Sequence, residues 1–491
     1  MMIVLDLLLR NKTHHDVATD TNGTIKVIHT NTTTTTDWNY HNSSNELQYD
    51  DHQHDDNNDY ENDDNKDNDD TSIITAISKK LSLVQSDRLV TFMTRLIGAV
   101  RRDIFGPKIP TDVINNKIFK LLINNKAGAG MNSNDTSTTC KAVSSSGLHV
   151  YEFFSGIGGM RCSLPSTMKV ASVTAFDVSD TPNNVYAENF ETNGNGDDGV
   201  KSELKRILVD GLKVIDVDDK ADVWTMSPPC QPFTNTRNAN RLDDKDNRSR
   251  GFFHLMFLLI SMKKRPKYIV LENVKGFLDS KVLNIWKRVL IYCGYTYRQY
   301  LLSPITSLGI PNHRNRYYMI IEHGNRFRGD TKDNILHTSL GVNEVDVMPI
   351  SNYIITSISY SNEDDKDLYI CKEILQKSWA AKRLSLVGQH DKTSFCFTKS
   401  YSHTNDKSAG SYYLERAMGP LSDAQFIDRT DLGALYGQVR LFHPKELLKL
   451  FGFPQTFKFP KTMTLKQQYS CIGNSINVSV VREVMKELFL M

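Results

Sequence analysis

The chain has 491 residues, 39% hydrophobic and 24% charged, enough for two or three domains and a sizeable apolar core. No apolar run approaches the roughly 18 residues of a membrane span, and the seven cysteines are scattered with no C-x-x-C pair, which argues against a membrane protein, a structural metal and a disulfide framework. The net charge of +2 is uneven: residues 50–70 hold 11 acidic side chains and one lysine, which leaves 58 basic and 46 acidic elsewhere, a balance that fits a polyanionic partner or ordinary surface lysines.

The opening "MMIVLDLLLR" is interrupted by Asp6 and lacks both a basic flank and a small-residue cleavage site, so no secretory signal is expected. Cytoplasmic or nuclear residence follows. Residues 1–72 are dominated by Asn, Asp, Thr and His, with the run "NTTTTTD", and offer little apolar surface to offset ordering entropy. This extension is expected to be disordered. Asp63, Asn65 and Asp67 alternate as in a calcium loop, but Asn68 stands where glycine is required and Ile74 where the bidentate glutamate belongs. Within 73–146, apolar residues at helical spacing over 73–125 predict amphipathic helices, followed by a small-residue linker.

From residue 147 the pattern changes. "LHVYEFF", "SVTAFDV", "ADVWTMS" and "KYIVLENV" read as strands buried on both faces, with "NNVYAENF" and "GFFHLMFLLISMKK" as helices between them. Such alternation predicts an α/β fold with a doubly wound, mainly parallel sheet, whose ligands bind beyond the carboxyl ends of the strands.

Chemistry-bearing residues collect at those ends. "FFSGIGGM" directly follows the first strand, and Gly156, Gly158 and Gly159 permit a tight turn and close approach to a ligand. Asp177 ends the next strand, where an acid can hold ribose hydroxyls; the alternative is a structural turn with a solvent-facing aspartate. Cys230 follows the strand "DVWTMS", held by Pro228 and Pro229, as a positioned nucleophile or an inert turn cysteine. Glu272, in "LENV", can hold or deliver a proton at a ring nitrogen, or simply favour a helix N-terminus. Arg314 and Arg316 are one residue apart, so on an extended segment both face one side, suiting a phosphate or base carbonyl or serving as surface charge. "KKRPK" at 263–267 reads as a nuclear-import patch or as a basic turn at a helix end.

The ordered set "FFSGIGGM", "SPPCQPF", "LENVKGF", "NHRNR", "RLFHPKELLKLFGFP" and "GNSINVSVV" resembles the cytosine-5 methyltransferases over residues 147–491. Within that superfamily, "LLSPITSLGIPNHRNRYY" and "SFCFTKSY" are similar to the tRNA aspartic acid methyltransferases. The resemblance implies a Rossmann-like catalytic domain (147–324), a smaller target-recognition domain (325–464) and a C-terminal helix (465–491) that completes the first. It implies methyl transfer from S-adenosylmethionine to carbon 5 of a cytosine in the anticodon loop of aspartate tRNA, with a DNA methyltransferase as the alternative and a nucleic-acid-binding protein of little turnover as the third reading.

By the same resemblance, Cys230 is the nucleophile, Glu272 the acid at the base, and Arg314 and Arg316 its support. Ile157, Gly158, Gly159, Asp177, Val178, Val209, Asp210, Ser227, Asn474 and Ser475 contact the cofactor, and Cys396, Thr398 and Lys399 the substrate. Asn312 replaces the glutamine common in the DNA enzymes, as in the tRNA subgroup. After "CFTKSYS" a glycine-rich segment is expected, and "HTNDKSAGS" stands there instead. A monomer without metal is expected.

Overall fold

The computed structural model describes residues 147–191, 200–234, 243–341, 345–415 and 432–489, with the backbone of three short segments, 15–19, 25–29 and 139–140. The acidic run, the calcium-like positions and the helices expected in 73–125 lie outside the described residues. Within the segment expected to be disordered, His15–Thr19 and Ile25–His29 pair antiparallel. In sequence they flank "TNGT", and Asn-Gly is a strong hairpin signal.

The large sheet is built from β1 (Leu148–Phe153), β2 (Val170–Phe176), β3 (Lys201–Lys205), β4 (Val223–Met226), β5 (Tyr268–Val274), β6 (Tyr295–Leu302), β7 (Arg316–His323) and β8 (Leu336–His337). Their order is β8-β6-β7-β5-β4-β1-β2-β3. β1 to β5 run parallel, and β7 is antiparallel to both β5 and β6. Every residue of β4 is buried and β5 is buried up to Asn273, as a central strand covered on both faces requires, whereas the polar "KSELK" of β3 sits at the edge. The sheet continues to β8, past the boundary expected at 324.

Helices α1 (Gly159–Ser163), α2 (Asp180–Phe190), α3 (Arg250–Ser261) and α4 (Lys281–Tyr292) alternate with the strands. On β7, Tyr318 and Ile320 share a buried cluster with Val480, Val481 and Val484. Tyr317, pointing the other way, meets Phe277, which lies beside Phe252 of α3. Both faces of the sheet are thus covered.

A second core surrounds a small sheet of β9 (Leu386–Val387), β10 (Tyr412–Leu414) and β11 (Val439–Arg440), with α5 (Pro444–Leu450) and α6 (Leu465–Asn474). Phe397, Tyr401, Phe442, Phe451 and Tyr469 fill it. Buried Arg440 is held by both oxygens of Glu446, at 2.8 and 2.9 Å. The C-terminal segment, expected as one helix, is two: α6 packs in this second core and α7 (Val478–Phe489) on the large sheet. Asn477 makes the break, accepting the Val480 N–H at 3.1 Å and donating to the Leu450 carbonyl at 3.2 Å.

The "KKRPK" segment serves a helix end. Arg265 is buried and donates to the carbonyls of Leu259 and Ile260 at 2.7 and 3.1 Å, while the Lys263 and Lys264 N–H groups bind Asp218. Among the described residues no helix is long and apolar enough to cross a membrane, and no group of three or more metal-ligating side chains occurs.

Candidate active site

One cavity of about 800 Å³ opens along the carboxyl ends of β1, β2, β4 and β5, within the range of small-molecule sites. The topology explains why. Parallel strands end on one edge, and the antiparallel β7 begins there, with Arg316 opposite Val274 and Tyr318 opposite Glu272.

The turn after β1 forms one end. Gly158 has φ +85°, and a Cβ there would stand 2.3 Å from the Phe190 ring, so the position requires glycine. The Asp177 carboxylate accepts N–H bonds from Gly156 at 3.0 Å and Ser179 at 2.8 Å, which fixes it beside that turn. Val178 and Leu208 line the same cavity and are 52% and 58% exposed. Two uncovered apolar side chains near a fixed carboxylate suit a planar purine attached to a ribose, so these residues fit the nucleoside part of S-adenosylmethionine.

The other end carries the reactive groups. The Asn273 amide donates to the Pro228 carbonyl at 3.2 Å, tying the cysteine loop to β5, and the Phe233 N–H donates to the Cys230 carbonyl at 3.0 Å. Ser227 donates to the Phe154 carbonyl at 3.1 Å. Glu272 is buried, with Arg316 Nε 3.4 Å from its Oε1. Burial pushes the Cys230 thiol up; Arg316 and Arg314 oppose this and Glu272 adds to it. Burial likewise raises the Glu272 carboxyl, against the pull of the same two arginines. The arrangement combines a thiol, a carboxyl inclined to keep its proton and a guanidinium around one space, as addition to a nitrogen heterocycle demands.

Cys230, Glu272, Arg314 and Arg316 all line this cavity, as do Ile157, Gly159, Asp177, Val178, Val209, Asp210, Ser227, Asn474 and Ser475. Gly158 does not; it packs on Phe190. Nor do Cys396, Thr398 and Lys399. Cys396 lies behind the arginines, its sulfur accepting from Arg314 Nη1 at 3.4 Å. Burial alone would raise that thiol, but Arg314 and Arg316 together hold it below its ordinary value.

The two arginines, both expected to support the base, differ in their surroundings. Arg314 is 2% exposed and donates to the carbonyls of Phe397 at 2.9 Å, Gly473 at 3.1 Å and Ser475. Its guanidinium also lies 4.9 Å from the Phe451 ring centre. Most of its hydrogen-bonding capacity joins three segments, and Arg316 faces Glu272. Sequence reasoning also missed Arg248 and Arg250 on the cavity wall, the latter 3.6 Å from Asp210. The signal was the "RSR" directly before the apolar run of α3.

Comparison with known proteins follows this geometry. Residues 148–490 match the family model described as C-5 cytosine-specific DNA methylase. A tRNA (cytosine(38)-C(5))-methyltransferase of Spodoptera frugiperda is 33% identical over 354 residues, covering 69% of this chain and 98% of that protein. A DNA (cytosine-5)-methyltransferase of Dictyostelium discoideum is 33% identical over 375 residues, covering 70% and 94%. Among solved structures, the Entamoeba histolytica methyltransferase EhMeth superposes with a TM-score of 0.57 at 29% identity, covering 70% of this chain and 98% of that one.

Proposed function

We propose, for a chain that belongs to the C-5 cytosine-specific DNA methylase family, that its substrate is tRNA and its target a cytosine in the anticodon loop of aspartate tRNA. The observation that carries the chemistry is the convergence of Cys230, Glu272 and Arg316 on one cavity whose far end fits a nucleoside. Several relatives carrying a tRNA methyltransferase name, together with Asn312 and "SFCFTKSY", support RNA.

S-adenosylmethionine, when bound, supplies an electrophilic methyl group on its sulfonium. Asp177 would hold the ribose, Val178 and Leu208 the adenine, and Asn474 and Ser475 the end nearer α6. Carbon 5 of cytosine is a poor nucleophile. The Cys230 thiolate adds to carbon 6, and Glu272 gives its proton to ring nitrogen 3, so the ring becomes an enamine able to accept the methyl group at carbon 5. Arg316 stabilises the thiolate as it forms and orients Glu272. Loss of the carbon 5 proton to a base, water included, then expels the Cys230 thiolate, and return of the nitrogen 3 proton to Glu272 restores the neutral aromatic ring. A loop nucleotide reaches the thiol at lower unstacking cost than one in a duplex. The enzyme would act as a monomer in the cytoplasm, the nucleus or both.

Bisulfite sequencing of total tRNA and genomic DNA, with and without the gene, tests the substrate. Loss of methylation at a tRNA anticodon-loop cytosine is expected. Loss in DNA alone would instead establish the second reading, which the Dictyostelium relative's name favours. Cys230→Ala should abolish transfer, and full activity in that variant would refute the covalent route.

A further inference from the structure

Residues 403–411, where the chain leaves its family's glycine-rich pattern, belong to a loop that the proposed reaction does not use. It is closed on itself. The Thr398 N–H donates to the Ala409 carbonyl at 3.0 Å, the Ala409 N–H to the Asp406 carbonyl at 2.9 Å, and the Tyr412 hydroxyl to the Thr404 carbonyl at 3.1 Å.

Its two ends are anchored differently. At the start, a Cβ on Gly473 would stand 2.2 Å from Thr398 C and 2.3 Å from Lys399 N, so this backbone lies directly on α6, whose Gln467, Ser470 and Asn474 line the cavity. Further along, the Lys407 N–H donates to the Arg383 carbonyl at 2.7 Å, and Arg383 Nε donates to Asp406 at 2.7 Å. Lys382, Lys399, His403 and Lys407 are exposed. Asp406 is engaged by Arg383 and by the Ser408 N–H at 2.9 Å. Among the described residues no carboxylate lies within ion-pair distance of Lys382, Lys399 or Lys407. An ordered backbone thus carries uncompensated cations away from the cavity, and binding a polyanion there costs little loop ordering while releasing its counterions.

We propose that this loop, through Lys407 and the adjacent Lys382, is a phosphate-contact surface that holds the substrate RNA beyond the target nucleotide. The proposal rests on the reading of tRNA as substrate. Phosphate contacts set position without reading sequence, so this surface would fix how the anticodon arm enters and leave the choice of base to the cavity.

The full chain is tested with aspartate tRNA transcript, measuring affinity across salt concentration. The variant K382Q/K407Q should weaken binding and flatten the slope of log affinity against log salt by about 1 per lysine. K382R/K407R should keep the wild-type slope, and S-adenosylhomocysteine affinity should not change in either. A wild-type slope in K382Q/K407Q, while the wild-type enzyme methylates tRNA, overturns this proposal and leaves the substrate reading intact. Flattening with duplex DNA but not with tRNA overturns it as an RNA surface. A wild-type enzyme that methylates no tRNA removes the substrate reading and this proposal with it.

Discussion

Arg314 and Arg316 are separated by one residue, yet their surroundings predict opposite consequences on mutation. In Arg314→Met the carbonyls of Phe397, Gly473 and Ser475 lose their donor. Hydrogen bonds to a charged group contribute about 1.5–3 kcal/mol each, and relief from burying the guanidinium offsets part of the total, which leaves a net loss of about 3 kcal/mol. For a folded unit of more than 300 residues that corresponds to a fall in Tm of about 4–5 °C. Arg316 makes a 3.4 Å contact with Glu272, on a strand already paired with its own, and a bond to the neighbouring Asn315 carbonyl. Arg316→Met should therefore melt within about 2 °C of wild type while losing methyl transfer. Thermal unfolding followed by circular dichroism, with transfer assayed well below both transitions, separates the two. If Arg314→Met melts with wild type, or the two variants melt together, the structural role assigned to Arg314 is wrong.

Three further outcomes follow from buried groups. Burial raises the Glu152 carboxyl from 4.5 to about 8, against its bonds to the Arg161 N–H and Tyr186. Folding therefore favours its protonated form, and this contribution, complete below about pH 4.5, is lost as pH rises through about 8 at up to about 1.4 kcal/mol per pH unit. Glu152→Gln should flatten the fall in stability between about pH 5 and 8, and an unchanged slope in urea titrations would contradict the argument. Gly158→Ala places a Cβ against Phe190 in a left-handed backbone and should cost about 1–3 kcal/mol, with weaker S-adenosylhomocysteine binding by calorimetry; unchanged affinity would mean that the turn adapts. Among the described residues the buried Tyr318 hydroxyl has no hydrogen-bond partner, so Tyr318→Phe should stabilise by about 1 kcal/mol and raise the urea midpoint, and a lower midpoint would show that the hydroxyl is satisfied.

What the sequence revealed depended on whether a residue's partner has a sequence signature. β4 and β5 were readable because strands covered on both faces must be apolar, and Cys230, Glu272 and Asp177 because the ends of parallel strands share one edge. The polar edge strand β3 carried no such pattern and was not predicted. The small sheet of β9 to β11 was equally hidden, since its strands are two or three residues long, too short to display alternation. For the arginines the limit is chemical. Period-two spacing gave them one orientation, and for Arg316 the partner is a carboxylate, which sequence can suggest. For Arg314 the partners are backbone carbonyls, two of them 159 and 161 positions downstream. Every residue carries a carbonyl, so only the folded chain distinguishes the acceptors that are used. An arginine that faces a ligand and one that fastens three segments together can therefore look identical in sequence, and the unfolding comparison of Arg314→Met with Arg316→Met measures the difference between them.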